Sequence, residues 1–92
     1  MSRISRNVTI VNDRGLHARA SAKFVTLVSR LPDELSVEVE KDGQTVTGRS
    51  IMGLMMLGAA KGHEITVHVD GPESDKVLDK LIGLVVDGFG ED

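Results

Sequence analysis

The chain has no cysteine, no tryptophan and no tyrosine, and only two phenylalanines and two prolines among its 92 residues. Without cysteine there is no disulfide staple and no thiolate for nucleophilic or metal chemistry. With so few aromatic rings there is no platform on which nucleic-acid bases can stack. Positive charge is not in excess either: eleven Lys and Arg stand against fourteen Asp and Glu, a formal net charge of −3. Phosphate backbones select the opposite, a basic face. No apolar run approaches the roughly 20 residues of a membrane-spanning helix, and no apolar N-terminal stretch reads as a signal peptide. The three histidines lack the spacing of a zinc site. The expectation is one small cytoplasmic domain over residues 1–92, with no metal, no cofactor, no nucleic-acid partner and no membrane partner.

Apolar residues make up 40% of the chain, enough for a core. Asn7–Asn12 is β-branched and predicts a strand. Asp13-Arg14-Gly15 predicts a turn. From Ala18 to about Leu31 the apolar residues Ala20, Phe24, Leu27, Val28 and Leu31 recur at helical steps, and Pro32 stops the helix. Leu35–Glu40 alternates, Lys41-Asp42-Gly43 turns the chain, and Gln44–Thr47 returns as a short strand. Ser50 caps a predicted helix over Ile51–Ala60, with Gly62 as its terminator. Glu64–Asp70 alternates again, and Glu73–Val86 carries Val77, Leu78, Leu81, Ile82 and Val85 on one face before Gly88. The order β-α-β-β-α-β-α, with strands buried on one side, predicts an α+β fold with an antiparallel sheet and helices on one face.

His17 falls where the first helix begins. The first amide N–H groups of a helix lack intrahelical partners, and the helix dipole puts partial positive charge there, so phosphate is welcome. Gly15 allows a tight turn just before it. Arg19 adds a planar fork of donors that matches phosphate oxygens. A neutral imidazole is a nucleophile, and the positive helix end favours the neutral form. The stretch therefore combines a nucleophile with a cradle for a phosphoryl group, the cradle being the backbone of Ala18, Arg19 and Ala20. No general base or acid stands nearby in the sequence. On local features alone His17 also reads as an inert polar residue at a helix start. His63, in a turn, and His68, on the polar phase of a strand, read as solvated surface.

Residues 50–60, "SIMGLMMLGAA", carry no charge. A helix on one side of a sheet cannot bury every face, so part of this one is expected to reach solvent. An exposed apolar patch marks a docking surface, and the flexible thioether of Met suits several partners. Ile51, Met52 and Met55 are the docking candidates; the competing reading has Met52, Met55 and Met56 filling core gaps. Ser50 reads first as a helix cap and second as a regulatory phosphorylation site.

Taken together, "GLHARASAKFV" and "GRSIMGLMMLGAAKG" resemble the HPr family, the histidine-containing phosphocarriers of the bacterial phosphotransferase system. The resemblance spans nearly the whole chain, including the acidic tail after "DGF". It implies an open-faced β-sandwich, a four-stranded antiparallel sheet covered on one side by three helices. It implies that His17 takes a phosphoryl group on Nδ1 from phosphorylated enzyme I and passes it to an EIIA-type protein, a stoichiometric carrier and not an enzyme. Arg19 matches the family's phosphate-orienting arginine. Ser50 matches its regulatory serine, the target of HPr kinase/phosphorylase, and the helix after it matches part of the docking surface. The family's usual proline after the arginine is replaced by Ala20, which, with the acidic tail, resembles the nitrogen-related branch. Ala20 leaves one more free amide beside the phosphate site. A shuttle between larger partners is best served by a monomer. A small α+β regulatory or interaction domain with an inert His17 remains the alternative at this point.

Overall fold

The computed structural model describes residues 3–91. Strands β1 (Arg3–Thr9), β2 (Ser36–Lys41), β3 (Gln44–Thr47) and β4 (Glu64–Asp70) alternate with helices α1 (Ala18–Ser29), α2 (Ile51–Met56) and α3 (Ser74–Val86) in the expected order. The strands lie side by side as β1-β4-β2-β3, and every neighbouring pair is antiparallel. A 3-10 turn, Gly88–Gly90, follows α3.

The period of two in the strands decides which face is covered. Val8, Val37, Val39, Ile65, Val67 and Val69 are buried, while the residues between them, such as Ser5, Asn7, Glu38 and Thr66, lie on the other, polar face. All three helices pack on the apolar face. Phe24 and Val28 come from α1, Leu54 from α2, and Leu78, Leu81 and Val85 from α3. Each such side chain contributes on the order of 1.5–3 kcal/mol when withdrawn from water. The result is an open-faced β-sandwich, one sheet face packed and the other bare.

Three boundaries differ from the sequence-based expectation. The first strand runs Arg3–Thr9 rather than Asn7–Asn12. Its N-terminal half is too polar to announce itself, and it becomes a strand because β4 pairs with all of it, Arg3 opposite Asp70 through Thr9 opposite Glu64. At the other end the ladder breaks up: Ile10 donates to His63 O at 2.9 Å and accepts from Gly62 N–H at 2.8 Å, after which the chain turns away. Helix α2 stops at Met56, not Ala60. Gly58, at φ +64°, ends it, and the N–H groups of Leu57 and Gly58 reach back only three residues. Gly62 instead joins the contact with Ile10. The first helix closes at Ser29, so Leu31 packs on the core from beyond its end.

Past α2 the chain is drawn out of the helix because Ala59 O is required elsewhere: it accepts the N–H of Leu16 at 2.9 Å. That contact ties the β1–α1 loop to the end of α2. Gly15 makes it possible. Its φ is +63°, and a Cβ there would collide with Ala59 O and stand 2.8 Å from Ala60 Cα, both rigid backbone. Gly43 has a similar φ, +83°, but open space around it. Gly15→Ala is therefore expected to lose about 2 kcal/mol or more of unfolding free energy, and Gly43→Ala only about 1 kcal/mol. Urea denaturation of the two variants beside the parent protein checks this. Equal losses would mean that the Ala59 contact is not the constraint described.

Candidate functional site

The loop after β1 closes on itself before it reaches α1. Gly15 N–H donates to Asn12 O at 3.2 Å, and Leu16 is buried. His17 then takes the N-cap position of α1, with extended backbone and its own carbonyl accepting the N–H of Ser21 at 2.9 Å. Ser21 is itself buried, and its hydroxyl donates to Leu16 O at 3.1 Å, which holds the first turn on the loop. Ser21 is the first residue whose N–H closes a helical turn. The amides of Ala18, Arg19 and Ala20 precede it and point out of the helix start beside His17. The Arg19 N–H already has an acceptor there, Nδ1 of His17 at 3.3 Å. The Arg19 side chain is exposed, and no ion pair among the described residues engages it. Ala20 is fully buried, so the position that differs from the family's usual proline points its methyl into the core, not toward solvent.

The expectation that no acid or base stands near His17 is wrong. Glu91, 74 residues away in sequence, accepts a hydrogen bond from Nε2 of His17 at 2.6 Å. The tail that carries it is strapped down. Phe89 is buried, at φ +57°, and its carbonyl accepts from Lys23 Nζ of α1 at 2.6 Å. The other carboxylate oxygen of Glu91 accepts from Asn12 Nδ2 at 3.0 Å. The Asn12 amide, foremost, and then the His17 ring and Lys23 hold the Glu91 carboxyl below the usual glutamate range, against the opposing effect of its partial burial. The tail was visible in the sequence as acidic, but nothing local aims it at His17. That aim comes from α3 packing across the sheet and from burial of Phe89.

The two hydrogen bonds on the imidazole agree on one tautomer. Nε2 faces a carboxylate, which only accepts, so Nε2 carries the proton. Nδ1 faces an N–H, which only donates, so Nδ1 holds the lone pair. The nitrogen that holds the lone pair is thus Nδ1, on the side of the Arg19 amide.

Beyond the loop lies α2. Leu54 and Leu57 fill the core, so the methionines are not needed there. Met52 and Met56 are 66% and 69% exposed, and Ile51 and Met55 about half as much. The core-gap reading of the methionines therefore fails, and Met56, absent from the docking candidates, is the most exposed of the set. Ser50 caps the helix through its Oγ, which accepts from Gly53 N–H at 2.9 Å. His63 is exposed, accepting from Ala60 N–H in its turn. His68 departs from the solvated-surface expectation. On the open sheet face its Nδ1 meets Ser5 Oγ at 2.6 Å and its Nε2 meets Glu40 Oε1 at 2.8 Å, linking β1, β4 and β2, with the ring only 11% exposed. Serine, imidazole and carboxylate stand in hydrolase order. Beside His68 the face has only a small hollow of about 90 Å³, lined by Arg3, Ser36, Glu38 and Asp70, and the ladders consume the central-strand amides, so the array acts as a cross-strand clasp.

Residues 4–87 match the family model described as the PTS HPr component phosphorylation site. The chain is 41% identical over 88 residues to the phosphocarrier protein HPr of Cupriavidus necator, covering 96% of this chain and 97% of that one. It is 43% identical over 88 residues to that of Neisseria meningitidis serogroup B, with the same shares covered. Among solved structures, a phosphocarrier protein HPr from Bacillus anthracis superposes with a TM-score of 0.85 at 33% identity, covering 92% of this chain and 99% of that one. The HPr-C-His structure from Thermoanaerobacter tengcongensis gives 0.86 at 34% identity, covering 100% and 99%.

The lowered carboxyl of Glu91 has a pH consequence. The stability it contributes is present above the ordinary glutamate range and is lost as pH falls through its depressed folded-state value. Glu91→Gln should therefore flatten part of the fall in melting temperature between about pH 5 and about pH 3. Asp13 and Asp42, lowered by hydrogen bonds from Lys61 and Lys41, keep the remainder. Parallel acid titrations of the melting temperature test it, and superimposable curves would refute the contribution.

Proposed function

The chain belongs to the HPr family and is a phosphocarrier of the phosphotransferase system, and on that premise we propose how its own residues carry the phosphoryl group. His17 Nδ1 attacks phosphorus on phosphorylated enzyme I. The Nδ1–P bond forms while the bond from phosphorus to the donor breaks, and the electron pair of that bond leaves with the donor. The ring keeps its Nε2 proton and becomes positive, and the Glu91 carboxylate at 2.6 Å stabilises that charge. The phosphoryl oxygens meet the amides of Ala18 and Arg19 at the helix start and the Arg19 guanidinium, the amide of Arg19 being released from Nδ1 as the bond forms; the Ala20 amide, on a fully buried residue, does not reach them. An EIIA-type protein takes the group onward by the reverse of these steps. The protein is consumed and regenerated stoichiometrically, as a cytoplasmic carrier and not an enzyme.

The observation that most supports this reading is the pair of hydrogen bonds on His17, which leaves Nδ1 as the basic nitrogen at a helix start. An inert interaction domain has no use for a fixed imidazole tautomer facing free amides. The exposed apolar stripe of Ile51, Met52, Met55 and Met56, tied to the His17 loop through Ala59, is the docking surface for both partners. Ser50, at the start of that stripe, is the regulatory site where HPr kinase/phosphorylase is present. A phosphate there adds about −1.5 to −2 charges beside an apolar contact.

Incubation with enzyme I and phosphoenolpyruvate should add one phosphate, acid-labile and base-stable, that is lost in His17→Ala. Label that survives this substitution overturns the assignment. Arg19→Ala should still accept phosphate but more slowly, and an unchanged rate removes Arg19 from the mechanism. Ser50→Asp should fold and bind enzyme I more weakly, while Ser50→Ala should remain a good acceptor and lose about 1 kcal/mol as a missing cap. Titration of enzyme I with each variant, beside thermal melts, separates these outcomes. Parent-like affinity in Ser50→Asp reduces Ser50 to a cap.

A further inference from the structure

Asn12 is 3% exposed, lies outside the predicted helix start, and belongs to none of the motifs that identify the site. Its amide is fully committed on one side and empty on the other. Nδ2 donates at 2.9 Å to Gly15 O, in the loop that delivers His17, and at 3.0 Å to Glu91 Oε1, in the tail. Among the described residues, Oδ1 is buried with no hydrogen-bond partner. Turning the amide over does not relieve this, because it would set an oxygen against both a carbonyl and a carboxylate. A buried acceptor left unpaired is a destabilising choice, and an apolar side chain of similar shape would avoid it. The residue is therefore poorly explained as a device for stability. What an apolar side chain cannot supply is the pair of donors, and both go to groups that flank His17.

We propose that Asn12 is a positioning residue for phosphoryl transfer: its amide bridges the His17 loop and the Glu91 carboxylate, holding that carboxylate on Nε2 so that Nδ1 remains the nucleophile. The inference rests on the reading of His17 as phosphoryl acceptor and extends it to a residue five positions earlier. Glu91 has one oxygen on each of two partners, Asn12 and His17. With the amide present, the carboxylate has one favoured orientation. Without it, the carboxylate rotates away from Nε2, because the remaining anchors of the tail, the Lys23 bond to Phe89 O and the Glu91 N–H bond to Gly88 O, hold its backbone and not its side chain. The imidazole is then free to place its proton on either nitrogen, and a proton on Nδ1 blocks attack. Asn12 touches no reacting atom and acts through Glu91 alone.

The test uses the full-length protein as parent, Asn12→Leu and Asn12→Asp. Asn12→Leu removes both donors and the orphan oxygen together. Asn12→Asp keeps the size but faces Glu91 with a second carboxylate. Ring ¹⁵N–¹H correlation spectra of His17 near neutral pH report the tautomer, and rapid-quench kinetics with phosphorylated enzyme I report transfer. The parent is expected to show a dominant Nε2–H tautomer. Both variants should shift to a mixture of tautomers and transfer about tenfold more slowly, with the loss in the transfer step and not in the affinity for enzyme I. A variant that keeps the parent tautomer and rate overturns the proposal. So does a rate loss without a tautomer change, which would mean that Asn12 acts on docking. Unfolding of both variants overturns it too, since the amide would then be a stability device after all. A parent protein with the Nε2–H tautomer that takes no phosphate on His17 would instead sink the carrier chemistry and leave the bridge intact, so the two failures are distinguishable.

Discussion

The site depends on one close approach, of the Gly15 backbone to the carbonyl of Ala59. No side chain fits between them, and the neighbouring Leu16 N–H takes that same carbonyl as its acceptor. Two parts of the chain more than forty residues apart are thereby locked together by backbone groups, which cannot adjust as side chains do. One is the loop that ends in His17; the other is the exit from α2. The nucleophile and the apolar stripe of Ile51, Met52, Met55 and Met56 therefore belong to one surface. In the proposed function, a partner on the methionines meets His17 at a fixed distance, and docking and transfer become one event. The early end of α2 follows from the same constraint, since a helix continued to Ala60 would have turned the Ala59 carbonyl along its axis and away from Leu16.

The open face of the sheet and the packed face have different tasks. The packed face is valine and isoleucine, and it orients three helices. The bare face is held by polar pairs across strands, among them the His68 clasp to Ser5 and Glu40 and the contact of Thr66 with Asn7. A serine, a histidine and a glutamate in hydrogen-bond order are not by themselves a catalytic site. His17 differs from His68 in what surrounds it. Both rings are hydrogen-bonded at both nitrogens, but Nδ1 of His17 faces a backbone N–H at a helix start, beside an arginine side chain with no ion pair among the described residues, whereas Nδ1 of His68 faces a serine hydroxyl on a strand.

The segment after α3 brings a carboxylate 74 residues along the chain to His17. Phe89 is a core residue in a left-handed backbone conformation, a costly choice for a bulky side chain. The strain is held by burial of the ring and by the Lys23 bond to its carbonyl. In return the chain is redirected so that Glu91 arrives at His17. The family model matches residues 4–87 and ends before this turn.

Much of this was legible in the residues alone. The alternation of strands β2 and β4, the helical spacing of Phe24 and Val28 or of Leu78 and Val85, the Ser50 cap and the placing of His17 and Arg19 at a helix start are local, and local periodicity and capping chemistry determine them. What the sequence left open involves partners far along the chain. The polar half of β1 is a strand only because β4 supplies its hydrogen bonds. Helix α2 ends at Met56 because Leu16 claims Ala59. The proton sits on Nε2 of His17 because Glu91 and Asn12 come from opposite ends of the chain to meet it. Hydrogen bonds to a partly buried ring are directional and short-ranged, so they are set by tertiary packing, and no spacing within the sequence encodes which nitrogen carries the proton.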